Sequence, residues 1–529
     1  MLAGVTRRFN VAGPCRPDWH YMIPAERRLP EAPGLVDQHG FFVVHAPRQT
    51  GKTTALRALA ERLTASGRHA ALLFSCEEGG VAGDDYGAAQ RALLRELGRA
   101  AEANLPPELR PPPRSLAGDE GLVGDVLASW ARACPRPLVL IFDEIDALRG
   151  QSLMSVLRQL RAGYAERPSA FPSSVILCGL RDVRDYKAAS GGDPGRLGTS
   201  SPFNIKLESL RVGDFTPEEL RELYAQHTAD TRQAFTEEAL RRAFEITAGQ
   251  PWLVNALGRE MVEKMAVPSS EAITAEHVEQ AKERLILARA THLDSLAHKL
   301  AEPRVRRVME PLLAGTYEGG GHAYEDDLSY VRDLGLIAAD NPPRIANPIY
   351  GEVVARVLAS PAETKLPAPP PGAFVLPDGR LAWRRLLRAF AAFWQEHGEV
   401  LAAGMPYPEV APQLVLMAFL QRVVNGGGFI DREYGVGRGR MDLLVRFLYK
   451  KPDGARVVQR RAMELKVWRR GQKSPLAQGL AQIDEYLARL RLGRGTLVIF
   501  DTRSRLARRA PRFEEATTPG GRKVTVLWA

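Results

Sequence analysis

The chain has 529 residues, 45% hydrophobic and 25% charged, a length that calls for about three or four domains rather than one core. Its four cysteines (Cys15, Cys76, Cys134 and Cys178) form no CxxC pair, and the chain has neither a leader-like start nor a membrane-length apolar run, which argues against a disulfide framework, a Cys-rich zinc site or a membrane partner and for a soluble, cytoplasmic protein. Residues 378–529 hold 28 Lys and Arg against 14 Asp and Glu in a chain of net charge +10, so the positive surplus is confined to the C-terminal part, a distribution that suits a polyanion partner or an Arg-rich soluble surface.

In chain order, residues 40–300 alternate short β-like runs (GFFVVHAP, AALLFSC, PLVLIF and SSVILCG) with amphipathic helical patterns. That alternation predicts an α/β domain with a parallel sheet covered on both faces. The core is expected over 1–210, followed by an almost wholly helical lid over 211–300. Residues 301–360 read as helix, helix, short strand, helix, the order of a small winged-helix-like domain. A Pro-rich stretch over 361–380 has no period and reads as a semi-rigid linker. A second α/β unit over 381–529 ends in the apolar strand GTLVIFD.

The segment Ala46-Pro47-Arg48-Gln49-Thr50-Gly51-Lys52-Thr53-Thr54 lies between the strand FFVVH and the helix TTALRALAERL. Small residue, four others, then Gly-Lys-Thr is the spacing of a phosphate-binding P-loop, in the strand–loop–helix context that the motif requires. Backbone N–H groups of this loop would cradle phosphates, Lys52 would reach the β- and γ-phosphates of ATP, and Thr53 would ligate Mg2+. PLVLIFDEIDAL is an apolar strand ending in acids, as a Walker B segment is. Asp143 would hold Mg2+ through water and Glu144 would polarise the attacking water, whereas Asp146 reads as an N-cap for the next helix. After the strand SSVILCG, Arg181 either senses the γ-phosphate or pairs with Asp182 or Asp185. The stretch ASGGDPGRLGTSSP beyond it is a loop that partner or nucleotide binding would order.

APRQTGKTT, LVLIFDEIDAL, CGLRDVRDY and TAGQPWLVNAL together resemble the AAA-like ATPases of the STAND class and the related archaeal ATPases. The resemblance covers roughly residues 7–358. It implies that Gly249-Gln250-Pro251 opens a lid helix and brings Pro251 to the nucleotide, and that FNVAGPCRPDWHYMIPAERR wraps the base. Members of this class often serve as nucleotide switches, and a homo-oligomer is compatible with the class. No clear arginine finger is present.

In the C-terminal unit, MDLLVRFLY and VVQRRAMELKVW flank the turn sequence KPDG and predict a hairpin. A turn centred between Pro452 and Asp453 pairs residues whose numbers sum to about 905 and puts Asp442 opposite residue 463, one position from Glu464. Alternation places Glu464 and Lys466 on one face, with Leu465 in the core. Two carboxylates and a lysine at one end of a hairpin suit phosphodiester hydrolysis with Mg2+, or Mn2+, held by Asp442 and Glu464. Asp442 followed by Glu464-x-Lys466 is similar to the PD-(D/E)XK nucleases, whose fold is restriction-endonuclease-like. Gln482-Ile-Asp-Glu-Tyr486 is like the Gln-x-x-x-Tyr helix of the RecB-like members, which makes Gln482 a further catalytic candidate. PEVAPQLVLMAFLQRVV would be the first core helix, with Glu409 as an extra acid or a helix-dipole partner. Trp468, Arg469 and Arg470 either clamp nucleic acid or are ordinary surface residues.

Two readings follow. In the first, the protein is an ATP-binding and ATP-hydrolysing switch coupled to a metal-dependent nuclease acting on nucleic acid, DNA above all. In the second, it is a nucleotide-dependent scaffold whose C-terminal domain binds nucleic acid or protein without cutting. No helicase motif supports a processive motor.

Overall fold

Five runs of apolar and β-branched residues form the first sheet: β1 (Phe41–His45), β2 (Ala70–Ser75), β3 (Leu138–Asp143), β4 (Ser174–Gly179) and β5 (Glu208–Arg211). In the computed structural model, which describes residues 7–113, 123–180, 205–288, 298–314, 322–363, 373–403, 410–424, 428–435, 440–451, 454–503 and 510–529, all five pair in parallel in the order β2-β3-β4-β1-β5. β3 and β4 are buried at every position, as strands covered on both faces must be. Alternation splits their side chains between two cores. Phe41, Val43, Leu140, Phe142 and Leu177 face α2 (Tyr86–Asn104), α3 (Val123–Ala133) and α4 (Gly150–Ala162). Phe42, Val44, Ile141, Ile176 and Cys178 face α1 (Lys52–Ala65). The sequence reading missed β5: only Leu210 of its four residues is buried, so an edge strand of this length leaves no apolar run to detect.

The region expected as a helical lid holds four helices among the described residues. They are α5 (Pro217–Thr231), α6 (Glu237–Thr247), α7 (Pro251–Arg259), which runs on into a π turn at Glu260–Lys264, and α8 (Ala275–Leu287). A capping box starts α5: the Thr216 hydroxyl accepts from the Glu219 amide at 3.2 Å, and the Glu219 carboxylate accepts from the Thr216 amide at 2.9 Å. Gly249, at φ +77°, turns the chain into α7, and its carbonyl accepts the Phe215 amide at 2.8 Å.

The chain divides into two compact units, Met1–Phe244 with Gly249–Val278 and Glu245–Ala248 with Glu279–Ala529. The second unit holds α9 (Pro303–Ala314), α10 (His322–Asp333), α11 (Pro348–Glu363), α12 (Trp383–Ala403) and α13 (Ala411–Val424). These are followed by β6 (Gly428–Gly435), β7 (Arg440–Lys450), β8 (Arg456–Trp468), α14 (Leu476–Leu490), β9 (Arg494–Asp501), β10 (Arg512–Thr517) and β11 (Lys523–Trp528). They build a mixed sheet in the order β10-β11-β9-β8-β7-β6, in which β6, β7 and β8 form an antiparallel meander and β9 runs parallel to both β8 and β11.

One face of this sheet, with Leu444, Ala462, Leu497, Ile499, Val524 and Val526, packs under Ile483, Tyr486 and Leu487 of α14. Rings of α12 meet Phe500 on the other face, with Trp394 at 5.0 Å and Phe390 at 6.2 Å between centroids, and Phe419 of α13 packs on Phe390 at 5.4 Å. GTLVIFD therefore does not end the unit: β11 inserts between β9 and the edge strand β10, whose polar sequence RFEEAT conceals its strand character. Described residues at both ends of the stretch expected as a linker belong to regular structure. Helix α11 reaches Glu363, and Val375 bridges Leu381 across a turn closed by Leu376 N–H to Arg380 O at 2.8 Å.

Gly249 and Gly51 separate two reasons for glycine. Both have positive φ, but a Cβ on Gly249 would overlap the Phe215 carbonyl oxygen, whereas one on Gly51 meets no atom within 4 Å. Gly249→Ala is expected to cost about 2 kcal/mol or more, from strain plus overlap, and Gly51→Ala only about 1–2 kcal/mol from the backbone term. Thermal melting of the two variants checks the order; equal melting temperatures would contradict it.

Candidate functional site

The P-loop joins the C-terminal end of β1 to α1. Gln49 and Gly51 take left-handed backbone at φ 62° and 89°, which turns successive amides inward in the manner of an anion-binding nest at a helix N-terminus. The Thr50 hydroxyl donates to the Pro47 carbonyl at 2.9 Å. The Lys52 ammonium donates to the Ala46 carbonyl at 2.8 Å and the Pro47 carbonyl at 2.9 Å. Burial pushes Lys52 below the ordinary lysine range, while Cys178, Asp146, Asp143 and Glu144 pull it upward. Lys52 thus stands as a cation among acids at the head of the sheet.

Thr53 and Asp143, expected to serve one Mg2+, lie together: the Thr53 hydroxyl donates to Asp143 Oδ2 at 2.7 Å. A hydroxyl and a carboxylate offering hard oxygens are the donor set such an ion takes. Glu144 follows in left-handed backbone, φ 56° and ψ 39°. Its Oε2 accepts from the Ser75 hydroxyl at 3.2 Å, at the end of β2. Burial first, then Glu77 and Asp143, raise its carboxyl above the usual range, and the Ser75 hydrogen bond lowers it.

Asp146 is not the cap expected from sequence. It sits inside the single turn Ile145–Ala147, and the residue capping α4 is Arg149. The Asp146 carboxylate accepts from its own amide and from that of Leu180 beyond β4, with Lys52 and Arg48 nearby as cations, and burial raises its pKa. The sequence reading also missed Ser75 and Cys178. The Cys178 thiol is buried against Asp143, and burial drives its pKa well up. Ser75 is the last residue of β2 and Cys178 the next to last of β4, both strands that neighbour β3, and that placement is a signal only once the strand order is known. Arg181 lies outside the described residues, as do Asp182, Asp185 and most of the loop after them.

A second set of residues closes over the P-loop. Cys15 N–H donates to Thr54 Oγ1 at 3.1 Å, the Trp252 indole to Val11 O at 2.9 Å, and Asn10 N–H to Asn255 Oδ1 at 3.3 Å. Phe9 packs between Tyr21 and Tyr224, with ring centroids at 4.9 and 5.3 Å. The N-terminal strap and α7 so frame a cavity of about 130 Å³, lined among others by Gln49, Thr50, Gly51, Thr54, Pro251 and Trp252. Pro251, expected to reach the nucleotide, lines this cavity. A larger cavity of about 590 Å³ runs along the outer face of α1 by Ala58, Leu59 and Arg62. It contains no residue of the phosphate loop, so size does not mark the nucleotide site here.

In the second unit the β7–β8 register pairs Asp442 with Glu464, where the sequence had placed residue 463. The pairing sum is one higher because Lys451 N–H bonds Ala455 O at 2.9 Å, which makes a three-residue loop whose last member, Gly454, has φ +84°. The difference matters, because directly opposed residues share a face. Glu464 and Lys466 do share one, but it is covered, with exposures of 0% and 6%. Lys466 Nζ lies 2.8 Å from Glu464 Oε1, and neither Glu464 oxygen takes an aligned hydrogen bond from a described residue. Gln482 is buried on α14, the helix that covers this face. Glu409 lies outside the described residues. Among the described residues no group of three His, Cys, Asp or Glu could hold a metal; of Asp442 only the backbone is described.

Ser75→Ala removes the hydrogen bond that lowers Glu144. With Glu144 in the role expected of it, orienting the attacking water as a carboxylate, ATP turnover would fall as pH drops through its raised pKa, and the variant would move that acidic limb to higher pH. A pH–rate profile tests this, and an unmoved limb would refute it.

The sequence matches the AAA domain family over residues 36–186. No curated protein matches it. Among solved structures, the Walker-type ATPase of Pyrococcus abyssi is 14% identical, with 65% of this chain and 99% of that one covered and a TM-score of 0.48. Cdc6p from Pyrobaculum aerophilum is 15% identical, covering 63% and 92% at 0.35, and the Thermotoga maritima RuvB Holliday junction branch migration motor 16%, covering 62% and 93% at 0.34. Residues 36–186 thus carry an ATPase-type P-loop domain on a parallel sheet, and a second, mixed sheet follows toward the C-terminus.

Proposed function

We propose that the protein is an ATP-dependent switch that controls a metal-dependent nuclease in its C-terminal unit. One observation carries the nuclease half: β7 and β8 bring Asp442 opposite Glu464, and Glu464 is a fully buried carboxylate whose near neighbour is the ammonium of Lys466. A buried carboxylate without aligned donors is costly unless a cation compensates it. Lys466 supplies one such charge, and a divalent ion shared with Asp442 would supply the other. The ion, Mg2+ or Mn2+, would supply Lewis acidity and a lowered pKa for water. Lys466 would orient the attacking water oxygen toward the phosphorus as the phosphodiester P–O bond breaks, and Gln482 would help to position the strand.

The order of elements supports the same reading. Helix α13, the meander β6–β8, the crossover helix α14 and the parallel strand β9 follow the order of a PD-(D/E)XK core, with β11 and β10 as additions. The subdivision in this proposal is a P-loop core over 1–210, a lid over 211–300, a winged-helix-like domain over 301–360, a connector over 361–380 and the nuclease-like domain over 381–529. Helices α9 to α11 and the antiparallel bridge Ile337–Ile345 support the winged helix. In the switch, Lys52 and the loop amides hold the phosphates, Thr53 and Asp143 hold Mg2+, Glu144 orients water, and Arg181 reads the γ-phosphate. The basic C-terminal part would bind the nucleic acid, which we take to be DNA.

The test is incubation of the full chain with plasmid DNA or RNA and Mg2+ or Mn2+, with and without ATP. Lys466→Ala and Glu464→Gln should each lower cleavage at least about 100-fold; each also leaves one buried charge without its partner and should melt lower than wild type, so cleavage is compared well below the melting temperatures of the variants. Absence of metal-dependent cleavage by wild type would sink the nuclease and leave a scaffold. Lys52→Ala should lose ATP binding and, with it, the ATP dependence of cleavage; unchanged binding would disprove the nucleotide assignment.

A further inference from the structure

At the end of β8 the face that carries Glu464 and Lys466 continues to Trp468, two residues on. β8, β9 and β11 run parallel, so their C-terminal ends open at one edge of the sheet. The register places Lys466, Ile499 and Trp528 in a single row across those strands, with Trp468 beside Asp501 in the next. Trp528 therefore stands two strands from Lys466, about 10 Å away. The two indoles meet at 5.9 Å between centroids, inclined by 52°. The Arg503 guanidinium lies 3.3 Å from the Trp468 ring centroid, and that of Arg512 lies 4.7 Å from the Trp528 centroid.

The polar edges of these rings are fastened. Trp468 Nε1 donates to Gln472 O at 3.0 Å, and Trp528 Nε1 donates to Glu514 Oε1 at 2.8 Å. Arg503 is held by Asp501 through bonds of 2.8 and 2.6 Å. Anchored in this way, the side chains present guanidinium and indole planes at little further entropic cost, and both rings are partly exposed. The stretch from Lys466 to the end holds 14 Lys and Arg against 5 Asp and Glu, so this edge lies in the most basic part of the chain. A π-faced, cationic edge is suited to unpaired bases strung on phosphates, because base–aromatic stacking tolerates any sequence but needs bases free of their own helix.

We infer that Trp468, Trp528, Arg503 and Arg512 form a stacking platform for single-stranded nucleic acid, which delivers an unpaired segment to Glu464 and Lys466. The inference rests on the nuclease reading for what the strand is delivered to, but binding is measured apart from cleavage. The competing role is a structural cap on the open end of the sheet.

The experiment is fluorescence anisotropy with the full chain in EDTA, using a labelled oligo-dT, an abasic oligomer of equal length and a hairpin duplex. Wild type should bind oligo-dT at least about ten-fold more tightly than the abasic oligomer, which keeps the phosphates but has no bases to stack. It should also prefer oligo-dT to the duplex. Trp468→Ala and Trp528→Ala should each weaken oligo-dT binding about ten-fold, with Trp468→Phe close to wild type. Should an alanine variant fail to fold, as melting would show, the abasic comparison and the exposed Arg512→Gln, expected to weaken binding a few-fold, still decide. Equal affinity for oligo-dT and the abasic oligomer, or folded alanine variants that bind as wild type, would overturn the platform whether or not the protein cleaves. Binding that survives in EDTA without cleavage in metal would overturn the nuclease reading and leave the platform.

Discussion

The parallel ladder that sets β1, β4 and β3 side by side is the constraint on which the nucleotide site depends. His45 is level with Gly179, and Phe142 is level with Leu177, so the three strands end at one height and release their loops into one space. Parallel strands need crossovers, and helices on both faces supply them. The site residues are therefore contributed from distant parts of the chain but converge where strands stop, as ligand sites of open α/β sheets do. The Thr53–Asp143 hydrogen bond, across 90 positions of sequence, is a direct product of this alignment. β4, inserted between the other two strands, brings Cys178 and the Leu180 amide against Asp143 and Asp146.

The second sheet uses a different logic. Helix α14 covers the face that carries Glu464 and Lys466, and rings of α12 pack on the other, so two charges are held where apolar residues would be more stable. Met463, Leu465, Val498 and Phe500 are fully buried alongside them. Natural sequences break local consistency of this kind mainly at functional sites. That argument, more than the motif spacing, separates Glu464-Leu465-Lys466 from the many Glu-x-Lys pairs on solvated strands.

Legibility followed the physics of each element. The P-loop and the acidic end of β3 were readable because phosphate binding demands particular residue types in a fixed strand–loop–helix order, and the helices after the first sheet were readable from their period. β5 was not, because one buried leucine makes no pattern, and neither was β10, whose polar sequence RFEEAT hides an edge strand, nor β11, which inserts between β10 and β9. The hairpin was recognised, but its register was off by one. Lys-Pro-Asp-Gly suggests a tight turn, whereas Gly454 in left-handed backbone adds a third loop residue, and with the shorter loop Asp442 would have faced Met463 on the wrong side of the sheet. Asp146 looked like a cap because short acids before helices usually are. Only strand adjacency reveals that it meets the Leu180 amide. Burial of Glu464 was likewise invisible, since a charged residue in a strand is read as solvated until the covering helix is placed.

The N-terminal strap has a consequence for the timing of folding. Arg7 pairs with Asp230, Asn10 with Asn255 and Val11 with Trp252, contacts spanning 223, 245 and 241 positions. The strap residues thus leave the ribosome more than 220 positions ahead of the partners they pair with. At synthesis rates of about 5–20 residues per second, roughly 10–50 s pass before α7 emerges. Until then Phe9 has no aromatic cage and the P-loop no roof, although β1 to β4 can already pair. A nascent chain would therefore hold a formed phosphate loop well before it has a closed pocket around the rest of a nucleotide, and closure becomes an event of late translation.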